Sequence, residues 1–262
     1  MTDKYKELTL ATCEIARRAG GFMANERKTF DDAKIENKGL HDLVSYVDKE
    51  SEKMIIEELQ KLLPESGFIA EEGTSQKRGE RFNWVIDPLD GTTNYIHGIP
   101  VYSVSIALLD GDELVVGVVY EVGHDESFYA WKNGGAFLNG QPIQVSNRAE
   151  IQNSLLATGF PYNNFEKMES YLKTLHWAMK NARGVRRLGS AAADLVYVAC
   201  GRFDAFWEND LKAWDVAAGI VIVKEAGGKV TDSSGGNNYL FGGEIVASNN
   251  WLDQLILDQI QA

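Results

Sequence analysis

Residues 84 to 100 read WVIDPLDGTTNYIHGIP, an apolar strand-like run that ends in two aspartates three positions apart. Asp87 and Asp90 follow Trp84-Val85-Ile86 into what should be buried territory. Ionised carboxylates this close repel each other, and burying either one unpaired costs several kcal/mol or forces it to take up a proton. The fold must therefore cap each of them or draw a cation to both. Pro88 cannot donate to a sheet ladder, so it is expected to end the strand and let the carboxylates on either side turn toward one point. Gly91-Thr92-Thr93 then reads as the start of a helix whose free N–H groups and threonine hydroxyl suit a phosphate. In a plainer reading Asp87 caps a turn and Asp90 caps the helix, each acting alone.

Two more places put acidic residues at the ends of apolar runs: Glu71-Glu72 closes SGFIAEEG, and Asp215 lies in LKAWDVAAG. Hard divalent cations such as Mg²⁺ prefer oxygen ligands, commonly a few carboxylates with water and substrate phosphate completing the shell. If Glu71, Asp87, Asp90 and Asp215 converge, their charge balances roughly two Mg²⁺. The chain as a whole is acidic, with 26 Lys and Arg against 38 Asp and Glu for a formal charge of −12. That balance argues against a partner that is a nucleic-acid polymer or an anionic membrane, and an anionic ligand would need local help.

Leu8, Ala11, Ile15, Ala19 and Phe22 recur at spacings of three and four, which predicts an amphipathic helix over residues 5 to about 27. A second helix is expected after Asp48, with Met54, Ile55, Leu59 and Leu62 on one face until LPESG stops it. From Ser103 to Val145, SVSIALL, the Asp110-Gly111 turn, ELVVGVVY and two Asn-Gly pairs read as a largely antiparallel sheet. After about residue 150, short strands (SLLATG, FDAFWE, EIVASN) alternate with helices at about 165–181, through AAADLVYVACG, and from near Trp214-Asp215. No repeat or linker separates the halves, so a single domain over 1–262 is expected, with sub-domains of about 1–148 and 149–262.

Other chemistries lack their patterns. An aspartyl-phosphate enzyme usually carries its two aspartates two positions apart near the N-terminus, whereas here the gap is three and the position 87. EAGGKVTD is not a P-loop, and the four histidines fit neither H-E-x-x-H nor a G-x-S-x-G partner. TDSSGGNN resembles the start of a calcium loop without its closing glutamate and reads as a surface turn. Cys13 and Cys200 form no disulfide framework and read as small core residues. The absence of a signal-like run or of about 18 consecutive apolar residues leads to a cytoplasmic expectation.

Four blocks together carry a resemblance: DLVSYVDKESE at 42–52, FIAEEG at 68–73, WVIDPLDGTTNYIHGIP at 84–100 and WDVAAGIVIVKEAGGKVTD at 214–232. In this order and over nearly the whole length, the chain resembles the inositol monophosphatase family of metal-dependent, lithium-sensitive phosphatases. The fold class this implies is α+β: a layered αβαβα sandwich of the inositol monophosphatase/fructose-1,6-bisphosphatase type, with an antiparallel sheet in the first half and an α/β second half. The resemblance further implies Mg²⁺, roughly two or three per site with Mn²⁺ or Ca²⁺ able to substitute in binding. Glu71, Asp87 and the Leu89 carbonyl would hold one ion, and Asp87, Asp90 and Asp215 a second. Gly91 and Thr92 would contact phosphate, and Thr92 with Glu71 would position and deprotonate the attacking water, so that Glu71, Thr92 and Asp90 are the catalytic set. Gly189, Ser190 and Ala191 match the substrate-side segment, Glu208 the carboxylate that binds substrate hydroxyls, and Asp48 and Glu72 an outer shell. Lys38 matches a family lysine only approximately, one position off.

The function so implied is Mg²⁺-dependent hydrolysis of a small phosphate monoester, with inositol monophosphate first because of Glu208, by direct attack of a metal-activated water. Alternatives are 3′-phosphoadenosine 5′-phosphate, fructose-1,6-bisphosphate or histidinol phosphate as substrate, or a catalytically silent phosphosugar-binding regulator. The implied assembly is a homodimer.

Overall fold

The computed structural model describes residues 2–29, 35–37, 43–75, 77–161 and 165–262. Helix α1 (Thr2–Glu26) buries Leu8, Ile15 and Ala19 on one face, as the spacing predicts. Helix α2 (Tyr46–Leu62) begins earlier than expected because Ser45 takes the N-cap. Ser45 Oγ accepts the Val47 N–H at 3.1 Å, and the Asp48 carboxylate accepts the Ser45 N–H at 2.9 Å, so two orphan donors of the first turn are satisfied. Ile55 and Leu59 are buried on α2, whereas Met54 faces outward at 37% exposure.

Strands β1 (Ile35–Asn37) and β2 (Leu43–Ser45) form an antiparallel pair. The main sheet runs in chain order through β3 (Gly67–Ala70), β4 (Phe82–Asp90), β5 (Ser103–Asp110), β6 (Glu113–Glu121), β7 (Glu126–Trp131), β8 (Gly135–Leu138) and β9 (Gln141–Ile143). Only its first pair, β3 with β4, is parallel. The central strands are apolar at nearly every position because both faces are covered. Trp84, Ile86, Ile106 and Leu108 pack toward α1 and α2, while Val85, Ala107 and Leu109 point to the opposite core. A truncation such as Ile106→Ala, at a site with no solvent exposure, would cost about 2–5 kcal/mol.

Pro88 does not end its strand. β4 continues to Asp90, and the ladder with β5 slips instead: Asp87 pairs with Ser105 and Asp90 with Ser103, which leaves one extra residue on β4. This bulge absorbs the missing proline donor and turns consecutive side chains off the regular alternation. The short helix α3 (Thr92–His97) follows directly.

The second sheet holds β10 (Leu155–Thr158), β11 (Gly184–Arg186), β12 (Ala205–Asn209), β13 (Lys229–Thr231) and β14 (Glu244–Ser248) in the order β11-β10-β12-β14-β13. β10 is parallel to both neighbours and β14 antiparallel to both of its own. Helix α4 (Met168–Asn181) lies outside this sheet, α5 (Ala191–Ala199) and α6 (Ala213–Glu225) lie between the two sheets, and α7 (Asp253–Ile260) pairs with α4. The layers are thus helices, sheet, helices, sheet, helices, the αβαβα sandwich. The middle core joins Val85 and Ala107 to Ala157, Leu195 and Val216, so residues from both halves of the chain share it.

Candidate active site

Four carboxylates meet where β3, β4 and α6 end or begin. Glu71 follows β3, its N–H held by the Ile86 carbonyl at 3.3 Å. Asp87 sits in the β4 bulge and accepts the Leu89 N–H at 3.0 Å. Asp90 closes β4, where one of its oxygens accepts the Ser190 hydroxyl at 2.6 Å and the Ala192 N–H at 2.7 Å. That places Asp90 at the start of α5, where the helix end favours negative charge. Asp215 is the third residue of α6 and accepts the Lys212 N–H at 2.6 Å.

Their electrostatics show how tightly they are gathered. Burial, then the charges of Asp215 and Glu72, push the Glu71 carboxyl well above its ordinary range. Burial and the charges of Glu71, Asp90 and Asp215 do the same to Asp87, whose carboxyl is in hydrogen-bonding contact with those of Glu71 and Asp215. Burial raises Asp90 to about 6 even though Ser190 and Ala192 pull it down. Burial and the Asp90 charge raise Asp215 to about 7. Among the described residues, no lysine or arginine forms an ion pair with any of these four.

Such a cluster fits a hard divalent cation by its donor chemistry: every side-chain donor is a carboxylate oxygen, buried at Asp87 and half-buried at Glu71, Asp90 and Asp215. The side chains are gathered without being preset, since among the described residues no three acidic, histidine or cysteine groups stand as a finished coordination shell.

Thr92 opens α3 beside the cluster, and its hydroxyl lies 3.0 Å from both Asp48 Oδ1 and the Leu89 carbonyl, either of which can accept its one proton. The other Asp48 oxygen is occupied by the Ser45 N–H and hydroxyl, and burial raises this carboxyl too. Gly91 has φ +95°, and a Cβ there would stand 3.0 Å from the Val101 carbonyl, so glycine alone fits.

On the far side Glu208, on β12, is buried. Burial and the Asp215 charge raise its carboxyl well above the ordinary range, while Arg187 pulls it down. The Gly159 backbone presses against it, close enough that a Cβ there would lie 1.9 Å from Glu208 Cδ. Ser190 and Ala191 are buried, and the Ser190 hydroxyl serves Asp90 and caps α5. Gly189 precedes them, against Arg187 and Asn94. Lys38 lies outside the described residues.

Three residues near the site escaped the sequence reading. Glu52 on α2 is fully buried and accepts the backbone N–H groups of Glu72 and Thr74, each at 2.7 Å. Its one sequence signal was its spacing of four from Asp48. Asp194 on α5 is buried with one oxygen unpartnered, and burial and the Glu208 and Asp90 charges raise its carboxyl well above the usual range. Arg187 is the cation that both Glu208 and Asp194 feel.

The layered αβαβα fold with acidic residues gathered at its strand ends is that of a phosphatase family, as comparison with known proteins shows. A model of the Inositol monophosphatase family matches residues 4–262, and the chain belongs to that family. The chain is similar to an inositol-1-monophosphatase of Rhizobium meliloti, 41% identical over 93% of this chain and 92% of that one. It is also similar to a putative Nus factor SuhB of Neisseria meningitidis, 44% identical over 89% and 90% of the two chains. A crystal structure of the extragenic suppressor protein suhB from Bartonella henselae superposes with a TM-score of 0.92 at 39% identity, covering 97% of this chain and 98% of that one. No described helix is long and apolar enough to cross a membrane.

Proposed function

We propose that the chain hydrolyses a small phosphate monoester in the presence of Mg²⁺, with inositol monophosphate as the first candidate substrate. The observation that carries this reading is the gathering of four carboxylates, Asp87 buried and Glu71, Asp90 and Asp215 half-buried, whose proton affinities burial and mutual charge raise, with no lysine or arginine among the described residues in an ion pair with them. Glu71, Asp87, Asp90, Asp215 and the Leu89 carbonyl would hold the cations. When bound, Mg²⁺ supplies Lewis acidity toward phosphoryl oxygens and acidifies water. The negative charge of the carboxylates is then offset, which lets an acidic protein accept a dianion.

The chain's own residues do the placing. The N–H groups of Gly91 and Thr92 face the phosphate. The Thr92 hydroxyl, donating to Asp48, keeps its lone pairs for a water that attacks phosphorus in line with the ester oxygen. Glu71 takes the water's proton, the new P–O bond forms as the ester P–O bond breaks, and the alcohol leaves with a proton from solvent. Glu208, with no hydrogen bond of its own among the described residues, accepts hydroxyl protons of a polyol and so fixes which ester fits.

Phosphate release tests this, measured across inositol monophosphate, fructose-1,6-bisphosphate, histidinol phosphate and 3′-phosphoadenosine 5′-phosphate, with Mg²⁺, EDTA and added Li⁺. Mg²⁺-dependent, Li⁺-inhibited release fastest from inositol monophosphate is expected. Release unchanged by EDTA overturns the cation assignment, and a preference for the bisphosphorylated nucleotide overturns the substrate. The relatives named Nus factor SuhB favour a second reading, a role of that kind alongside or in place of catalysis. A chain that binds Mn²⁺ yet releases no phosphate from any ester would favour it.

A further inference from the structure

Helix α2 touches the site twice from one face. Asp48 and Glu52, four residues apart, stack on the same side of the helix. Asp48 receives the Thr92 hydroxyl, and Glu52 receives the backbone of the loop that carries Glu71. Glu52 is fully buried, so its carboxylate needs partners, and it has two short charge-assisted ones at 2.7 Å in Glu72 N–H and Thr74 N–H. Between them Gly73, at φ +71°, bends the chain so that alternate N–H groups converge on one carboxylate. Glu71 is thereby pinned on both sides: its own N–H to the Ile86 carbonyl on β4, and the next N–H to α2.

We propose that Glu52 is a positioning residue, holding the Glu71 loop at the separation from Asp87 and Asp215 that cation capture requires. The proposal rests on the reading of these carboxylates as a cation site. Glu52 touches neither cation nor substrate and acts only through the backbone of residues 72 to 74. An apolar residue would fill the same space, but it would leave two N–H groups of the loop without an acceptor and Glu71 tethered from one side only.

The test uses Glu52→Gln in the full-length chain with Mn²⁺ as the probe, read by electron paramagnetic resonance of the free ion. Glutamine keeps the size of the side chain but turns a donor toward one of the two N–H groups. Mn²⁺ binding is expected to weaken about tenfold, the scale of one lost hydrogen bond to a charged acceptor. The circular dichroism spectrum in EDTA should stay close to wild type, the melting temperature should fall by only several degrees, on the scale of the same lost bond, and KM for the ester should be unchanged at saturating Mn²⁺. If wild type binds Mn²⁺ and the variant binds it equally well, Glu52 does not position the loop, and the cation reading stands. If wild type binds none, both fall. Hydrogen exchange on wild type supplies a check that needs no variant: the Glu72 and Thr74 amides should exchange at least about tenfold more slowly than that of exposed Gly73. Equal rates overturn the tether.

Discussion

Removing divalent cations should make this protein less stable as pH rises through the neutral range. The ordinary value for Asp215 is 3.8, and in the folded state it stands at about 7, raised by burial and by Asp90. Below 3.8 both folded and unfolded chains hold the proton, and no stability is lost. Between 3.8 and about 7 the unfolded chain gives up its proton first, so the folded state binds more protons and stability falls with pH. Above about 7 the loss is complete. The gap corresponds to roughly 4 kcal/mol from this one carboxyl, and it is an upper figure because Asp90 shares the same repulsion. For a chain of this size that is a fall in melting temperature on the order of 10 °C. A bound cation removes the repulsion and should restore the loss.

The assay is a thermal melt at pH 5, 6, 7 and 8, in EDTA and in Mg²⁺. The EDTA curve should fall with pH while the Mg²⁺ curve stays nearly flat, so the gap between them widens from pH 5 to pH 8. A melting temperature that rises over this range in EDTA, or an equal Mg²⁺ increment at pH 5 and pH 8, would refute the argument. Either result would mean that the carboxylates are not held together against their own charge.

Asp90→Asn can keep its one oxygen as the acceptor for both Ser190 and Ala192 but removes a charge, and turnover should fall about a hundredfold or more. Near-wild-type turnover would show that Asp90 only caps α5. Gly159→Ala puts a Cβ where it would meet Glu208 at 1.9 Å, so the carboxylate must move. KM for inositol monophosphate should rise about tenfold, while an aryl phosphate without hydroxyls should be little affected, and equal losses on both would remove Glu208 from substrate recognition. Gly91→Ala demands a left-handed backbone from alanine within 3.0 Å of the Val101 carbonyl, and denaturant unfolding should show a loss of about 1–3 kcal/mol. An unchanged midpoint would mean that the turn relaxes freely.

Much of the fold was legible because burial leaves a period. α1 could be read from Leu8, Ile15 and Ala19, and the β5–β6 hairpin from apolar runs around Gly111. Glu71, Asp87, Asp90 and Asp215 could be singled out because each ends an apolar run, where a charge needs a reason. Pro88 misled because its missing donor can be absorbed in two ways, by ending a strand or by bulging one, and only the pairing with Ser103 and Ser105 decides between them. Glu52 was invisible for a different reason: in KESEKMIIEE one glutamate looks like its neighbours, and its burial depends on a loop that arrives from residues 72 to 74. Ser190 matched a substrate-side segment in sequence, yet its hydroxyl is spent on Asp90, a contact that no local pattern encodes.

Helix α6 lies between the two sheets, and its first turn carries Asp215. On the ribosome Glu71, Asp87 and Asp90 emerge early, whereas Asp215 follows only after most of the second sheet's strands have been made. The order of synthesis therefore delays the fourth carboxylate until the middle core can close around α6. A nascent chain is thus spared the full mutual repulsion of the four carboxylates until the packing that holds them together can form.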